Sequence, residues 1–273
     1  MARRNRSRGR NVQFYDALDP NHALGGLILN PSVTEKTFLY MLEILIVASD
    51  PYSVVLRCTG EIVTLSDNPL KLGHYDIRSG GDFFLIIGEY LEDTDVETGT
   101  ISLTEEPCVT RSYSDSDSDT TTDEFQHQVR ARDRKCVITG TVNTDADYDH
   151  WTGFEAAHVF PLSCEKLLVN SGFPRFTTAT AINSCQNGLL MLTDIHQQFD
   201  AYLLSINPDD DYRIVCFSTD PFGVGGRTLD PICRVSNDER SVRDELLRWH
   251  FRQSVLVNMR GAGEPSSEDG LTD

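Results

Sequence analysis

One stretch of this chain cannot be folded into any core. Residues 113–119 read Tyr-Ser-Asp-Ser-Asp-Ser-Asp, and three threonines follow. The acids repel one another and only the tyrosine is apolar, so burial cannot repay the entropy of ordering the segment. With its flanks it defines a flexible acidic linker over 104–124. The 273 residues thereby divide into two parts, each long enough for a core. The expected fold class is α+β. A disordered basic tail (1–10) precedes a small N-terminal α+β domain (11–103) and the linker. A second domain (125–235), a long helix packed on it (236–260) and a tail (261–273) complete the chain.

In the N-terminal domain, Ser32-Val33-Thr34-Glu35 has the form of a capping box. Phe38, Leu42, Leu45 and Ile46 follow at helical spacing, and Asp50-Pro51 ends the run. Short apolar stretches at 54–56, 62–65 and 83–87 are broken by Gly and Asn-Pro, as strands between turns are. The pair His74 and Asp76 reads as a surface feature, and no catalytic constellation stands here. The sequence assigns this domain no role; contact with protein partners is one it could serve.

Net charge constrains what the chain can bind. The total is −18, yet residues 1–10 hold five Arg and no acid, while 11–124 hold 21 acidic and 5 basic groups. Most of the negative charge therefore lies upstream of the second domain. The Arg run fits an import signal, a nucleic-acid tail or a solvated terminus. Phe38–Val47 is the longest apolar run and contains Glu43, well short of the roughly 18 residues a membrane helix needs. No secretory signal opens the chain, and the seven cysteines are odd in number with no C-x-x-C pair. An intracellular protein with reduced thiols is expected, nuclear or cytoplasmic, with no membrane contact.

The second domain carries the chemistry. A polar helix over 123–134 leads to Cys136-Val137-Ile138-Thr139-Gly140. Phe154–Phe160 reads as a strand and Gly188–Leu192 as another. Thr193 caps a helix to about Leu203, and strands at 204–206 and 213–217 flank Asn207-Pro208-Asp209-Asp210. Ser236-Asn237-Asp238-Glu239 is a second capping box. Val242, Leu246, Trp249, Gln253 and Leu256 then mark one helical face. Within this frame stand Glu155-Ala156-Ala157-His158-Val159-Phe160-Pro161, then Gln186-Asn187-Gly188, then His196-Gln197-Gln198-Phe199-Asp200. Residues four apart share a helix face, so His196 and Asp200 are neighbours. A neutral His as base and a cation bound by His and carboxylate are what phosphodiester hydrolysis needs near neutral pH. Each residue alone is as well explained by structure: a hydrogen-bonded core His, an Asn-Gly turn, a helix-surface pair.

Together the A-A-H-V-F-P, Q-N-G-L-L and H-x-x-F-D elements resemble the HNH nuclease family, in the branch found in fungal proteins. The core resemblance covers Cys136 to Cys233. Leu246–Gln253 and Asn258–Gly261 resemble the tail of those proteins. The resemblance implies a ββα-metal fold and an endonuclease acting on nucleic acid, DNA before RNA. By it His158 is the general base, Asn187 braces the hairpin loop, His196 is a metal ligand and Asp200 a second one. The cofactor implied is one divalent cation: Mg²⁺ or Mn²⁺, with Zn²⁺ and Ni²⁺ also compatible with imidazole. Two departures stand out. Many members carry Asp or His just before the first His, where this chain has Ala157; Glu155 shares that strand face and is the candidate replacement ligand. The paired zinc cysteines of many members are also missing, and Cys136, Cys164 and Cys185 read as buried thiols. The alternative is an inactive HNH-fold binding or regulatory module.

Overall fold

The computed structural model describes residues 6–79, 99–109, 122–162 and 182–261. It is mixed α+β and divides into two compact units. Of the described residues, the first unit combines those up to Cys108 with 217–219 and 255–261. The second holds those within 109–216 and 220–254.

The first unit is built on a four-stranded sheet. Strands β1 (Val12–Asp16), β2 (Asp19–Leu27), β4 (Tyr52–Leu56) and β5 (Gly73–Ser79) lie in the order β2-β1-β5-β4; β1 and β5 are parallel and the other pairs antiparallel. Helix α1 (Glu35–Leu45) buries Phe38, Met41, Leu42 and Leu45. Phe38 meets Phe14 edge-on at 6.3 Å and Tyr75 at 5.2 Å. The helix is capped by Thr34, whose hydroxyl accepts from the Thr37 amide at 3.1 Å, and not by Ser32. Glu35, in the predicted box position, instead accepts from Thr64 and Ser66 across the loop. The chain turns at Leu45 into β3 (Ile46–Ala48), which pairs with β6 (Ile101–Leu103).

Several expectations are corrected here. Residues 62–65 form no strand; Ile62 makes an isolated bridge to Val55. Residues 83–87 lie outside the described residues. The Arg run is not wholly a loose tail: Arg6 donates to Asn258 Oδ1 at 2.8 Å, and Arg10 donates to the carbonyls of Asn258 and Gly261. Asp76 is held by Arg57, at 2.9 Å through Nε, so the His74–Asp76 pair is structural. Of the linker, 110–121 lie outside the described residues, and Thr122 to Glu124 already belong to a helix.

That helix, α2 (Thr122–Asp133), opens the second unit. Strands β7 (Phe154–His158) and β8 (Gly188–Leu192) pair antiparallel, from Phe154 opposite Leu192 to His158 opposite Gly188. Helix α3 (Thr193–Asp200) follows β8 directly, and β9 (Leu204–Asn207) pairs with β10 (Arg213–Cys216). The core runs through Ala157, Leu189, Met191, Ile195, Phe199, Ile206 and Ile214. Val242, Leu246 and Leu247 join it, so the C-terminal helix does pack there. That helix, α4 (Asp244–Met259), starts eight residues after Ser236, the first residue of the predicted box. Asn237 has φ 64°, outside the helical region, and Ser241 N–H closes a turn on the Asp238 carbonyl. From Val255 onward α4 belongs to the first unit.

Candidate active site

The β7–β8 hairpin is pinned from beneath by Arg132 of α2. Its guanidinium donates to both Asp133 oxygens (2.6 and 2.9 Å) and to the carbonyls of Cys185, Gly188 and Arg240, each at 2.7 Å. Every guanidinium N–H is thus satisfied, as burial of this charge requires. Asp133 in turn accepts from the Leu190 amide at 2.9 Å. Gly188 makes the close approach possible: a Cβ there would lie 2.5 Å from Val129 and 2.7 Å from Phe125.

Asn187 fixes the open end of the hairpin. Its side-chain oxygen accepts from the Phe160 amide at 2.7 Å, and its Nδ2 donates to the carbonyls of Phe160 and Ile182, each at 2.9 Å. The Val159 amide donates to the Asn187 carbonyl at 2.8 Å. The backbone leaving His158 is therefore held on both sides. The His158 ring stacks on Phe125 (3.9 Å between centroids, 6° between planes), and its Nε2 lies 3.3 Å from Asn183 Oδ1.

A second cluster forms on helix α3. His196 Nδ1 is 2.6 Å from Glu155 Oε2, and His196 Nε2 is 3.1 Å from Asp200 Oδ2. Thr193 donates its hydroxyl to Glu155 Oε1 at 3.2 Å. That use explains why Thr193 does not cap the helix: it is the first helical residue, and Leu192 stands at the cap. Burial opposes a charge on His196, but the two carboxylates overcome it and carry its pKa up to about 9. Glu155 is held below its ordinary range by the His196 hydrogen bond, against the opposing effect of burial. With a carboxylate on each ring nitrogen the protonated ring is favoured while no ion is bound, and an ion at Nε2 would have to displace that proton.

These two clusters use opposite sides of β7, because strand residues alternate. Phe154 and Ala156 pack with Phe125, and His158 stacks on the same ring. Glu155 reaches α3, and Ala157 is fully buried in the main core. The structure thus joins His158 with Asn187, and separately joins Glu155 with His196 and Asp200.

Among the described residues, no three His, Cys, Asp or Glu side chains are placed to hold one ion. Ala157, buried and without a donor, accounts for part of this. The donor chemistry still fits a hard divalent cation. One ring nitrogen of His196 has a carboxylate neighbour that can share an ion. The other N–H is held by a second carboxylate, the usual outer partner of a metal-bound imidazole. Cys136 and Cys185 are buried in different clusters, and Cys164 lies outside the described residues. Ser205 and His250 form another suggestive pair (2.7 Å), but both are fully buried and His250 Nε2 lies 3.1 Å from the Phe199 carbonyl, so this pair is structural.

Sequence reasoning missed Phe125 and Asn183, and gave Thr193 the role of a cap instead of a partner of Glu155. Phe125 was one apolar residue in a polar helix, and Asn183 carried no periodic or motif signal.

Comparison with known families matches two separate parts of the chain. Residues 136–207 match the family described as HNH endonuclease. Residues 9–83 match a family described only as a domain of unknown function. No curated protein and no solved structure matches the chain.

Proposed function

We propose that the second unit, whose residues 136–207 match HNH endonucleases, is a divalent-cation-dependent endonuclease acting on DNA. The observation that carries this reading is the antiparallel hairpin leading directly into helix α3, with His158, Asn187 and His196 at the motif positions along it. The flanking Leu246–Gln253 segment supports the fungal branch of the family.

In this reading His196 and Asp200 would hold the cation, and Glu155, 2.6 Å from His196 Nδ1, would keep the second ring N–H and set its orientation. A bound Mg²⁺ or Mn²⁺ supplies charge stabilisation at the scissile phosphate and leaving oxygen. His158 is the base. Its ring is oriented by the stack on Phe125 and by the Asn183 oxygen, 3.3 Å from Nε2, and in its neutral form it takes a proton from the attacking water. Asn187 fixes the backbone beyond His158 and so the direction of its ring. The reading requires that His158 and the cation act on the same phosphate.

One observation favours a second reading, a binding module that keeps the fold without cutting. Base and ligands lie on opposite sides of β7, and the third ligand position is the buried Ala157. Plasmid nicking in Mn²⁺ with calorimetric titration of the ion separates the two. His158→Ala is expected to lower cleavage by about 10²–10⁴ with ion binding nearly intact. His196→Ala and Asp200→Ala are expected to weaken ion binding, with partial rescue by excess Mn²⁺. Equal loss of ion binding in His158→Ala and His196→Ala would overturn the roles. A wild-type protein that binds Mn²⁺ and cuts nothing would establish the second reading.

A further inference from the structure

Helix α2 presents two faces. Phe125, Val129 and Arg132 pack on the hairpin. On the other side His127, Arg130 and Arg134 line a cleft of about 480 Å³, together with Trp151, Asp123 and Asp149. The indole of Trp151 is fixed: its Nε1 donates to Asp149 Oδ1 at 2.7 Å, and its ring packs against the cluster that holds Phe125. The guanidinium carbon of Arg130 lies 5.2 Å from the indole centroid.

Arg130 is not satisfied by the protein. Its Nε is buried and has no hydrogen-bond partner. Burial pulls the guanidinium below its ordinary pKa, against the pull of Asp149 and Asp123. An N–H buried without an acceptor is unfavourable, and an acceptor brought by a ligand relieves it. The charges around the cleft nearly balance, since Arg134 is paired with Asp147 and Asp149 is engaged by the indole. A bare anion therefore gains little here. A planar ligand that brings its own acceptor gains from both the stacked surface and the Arg130 guanidinium that lines the cleft. Guanidinium planes and aromatic rings take unpaired bases in this way, and guanidinium N–H groups take the adjoining phosphate.

We infer that the cleft receives one unstacked nucleotide of a single-stranded nucleic acid, with its base on the Trp151–Arg130 platform and its phosphate on the Arg130 guanidinium. The inference rests on the nuclease reading for its substrate class and adds where the strand lies. Cleft and base are joined through Phe125, against whose cluster Trp151 packs and on whose ring His158 stacks.

The test is fluorescence anisotropy of a labelled, short single-stranded oligodeoxyadenylate with the full-length protein in metal-free buffer, so that cleavage does not enter. Arg130→Gln and Trp151→Leu are each expected to weaken binding about tenfold, while Trp151→Phe, which keeps an aromatic face, retains most of it. Trp151 packs on a core cluster, so Arg130→Gln, at a half-buried site, decides the matter if Trp151→Leu does not fold. Wild-type affinity in Arg130→Gln, equal affinity for a duplex of the same sequence, or no binding by the wild type would each overturn the inference. Plasmid nicking run in parallel separates it from the nuclease reading. Cleavage that depends on His158, with no effect of Arg130 on oligonucleotide binding, removes this inference alone. An oligonucleotide bound through Arg130 by a protein that cuts nothing removes the nuclease reading alone.

Discussion

Adjacent residues of β7 serve different neighbours, and single side chains decide what each can do. Asn187 shows how much one amide carries: three of its hydrogen bonds go to the backbone of Phe160 and Ile182, away from water. Removing it strands two carbonyls and one amide in the interior. Asn187→Ala is therefore expected to cost about 2–4 kcal/mol, and Asn187→Asp, which keeps the acceptor but sets a buried carboxylate against the two carbonyls, at least as much. Both tryptophans lie in the second unit, so urea unfolding followed by their fluorescence reports on this unit alone. A loss under about 0.5 kcal/mol for Asn187→Ala would show that water replaces the amide. At this scale the motif residues were legible because their type and spacing are distinctive. Asn183 and Phe125 were not, because what matters about them is which ring they meet, and a sequence does not state that.

Elements, in turn, are held by few tie points. Arg132 is the main one for the hairpin: it connects α2 to the carbonyls of Cys185 and Gly188 and to Arg240. Truncating one partner of a buried ion pair leaves the other charge uncompensated. Arg132→Met should then lower the stability of the second unit by about 3–5 kcal/mol. Arg132→Lys should recover little, since an ammonium cannot reach the same spread of acceptors. The tryptophan-detected urea midpoint checks this, and a shift equivalent to less than about 1 kcal/mol would show that the network is not the tie it resembles. Strands β8 and β9 and helix α2 were readable from short apolar runs and helical polarity. Strand β2 was not: its first five residues are exposed and two glycines precede Leu27, so it lacks the alternation that marks a strand. The start of α4 was misplaced for a different reason. A capping-box pattern is local, and the left-handed Asn237 breaks the helix that the pattern would begin.

On the scale of the whole molecule, the first unit is assembled from both ends of the sequence. Gly25 bridges Arg260, the Gly261 amide donates to the Leu24 carbonyl, and Arg260 donates to the carbonyls of Thr104 and Glu106. Gly25 is required there, because a Cβ would lie 2.1 Å from the Met259 carbonyl oxygen. A chain ending at Ser254 should consequently damage the N-terminal sheet while leaving the residues around His158 intact. Hydrogen exchange of the amides from Val12 to Leu27 is expected to accelerate at least tenfold in that truncation. Unchanged protection would mean that the sheet stands without its C-terminal strap. The acidic linker suggested a simple cut between two consecutive domains; that the first domain borrows residues from beyond the second is a long-range pairing no local pattern announces. The strap also sets a timetable for biosynthesis. Strand β2 is at the edge of its sheet, and its covering residues are made roughly 230 residues later, on the order of 10–50 s at ordinary rates of translation. Throughout that interval a nascent chain carries an uncovered strand edge, the kind of surface that pairs with other chains. The cell therefore has to hold the first unit unfinished until the last helix leaves the ribosome.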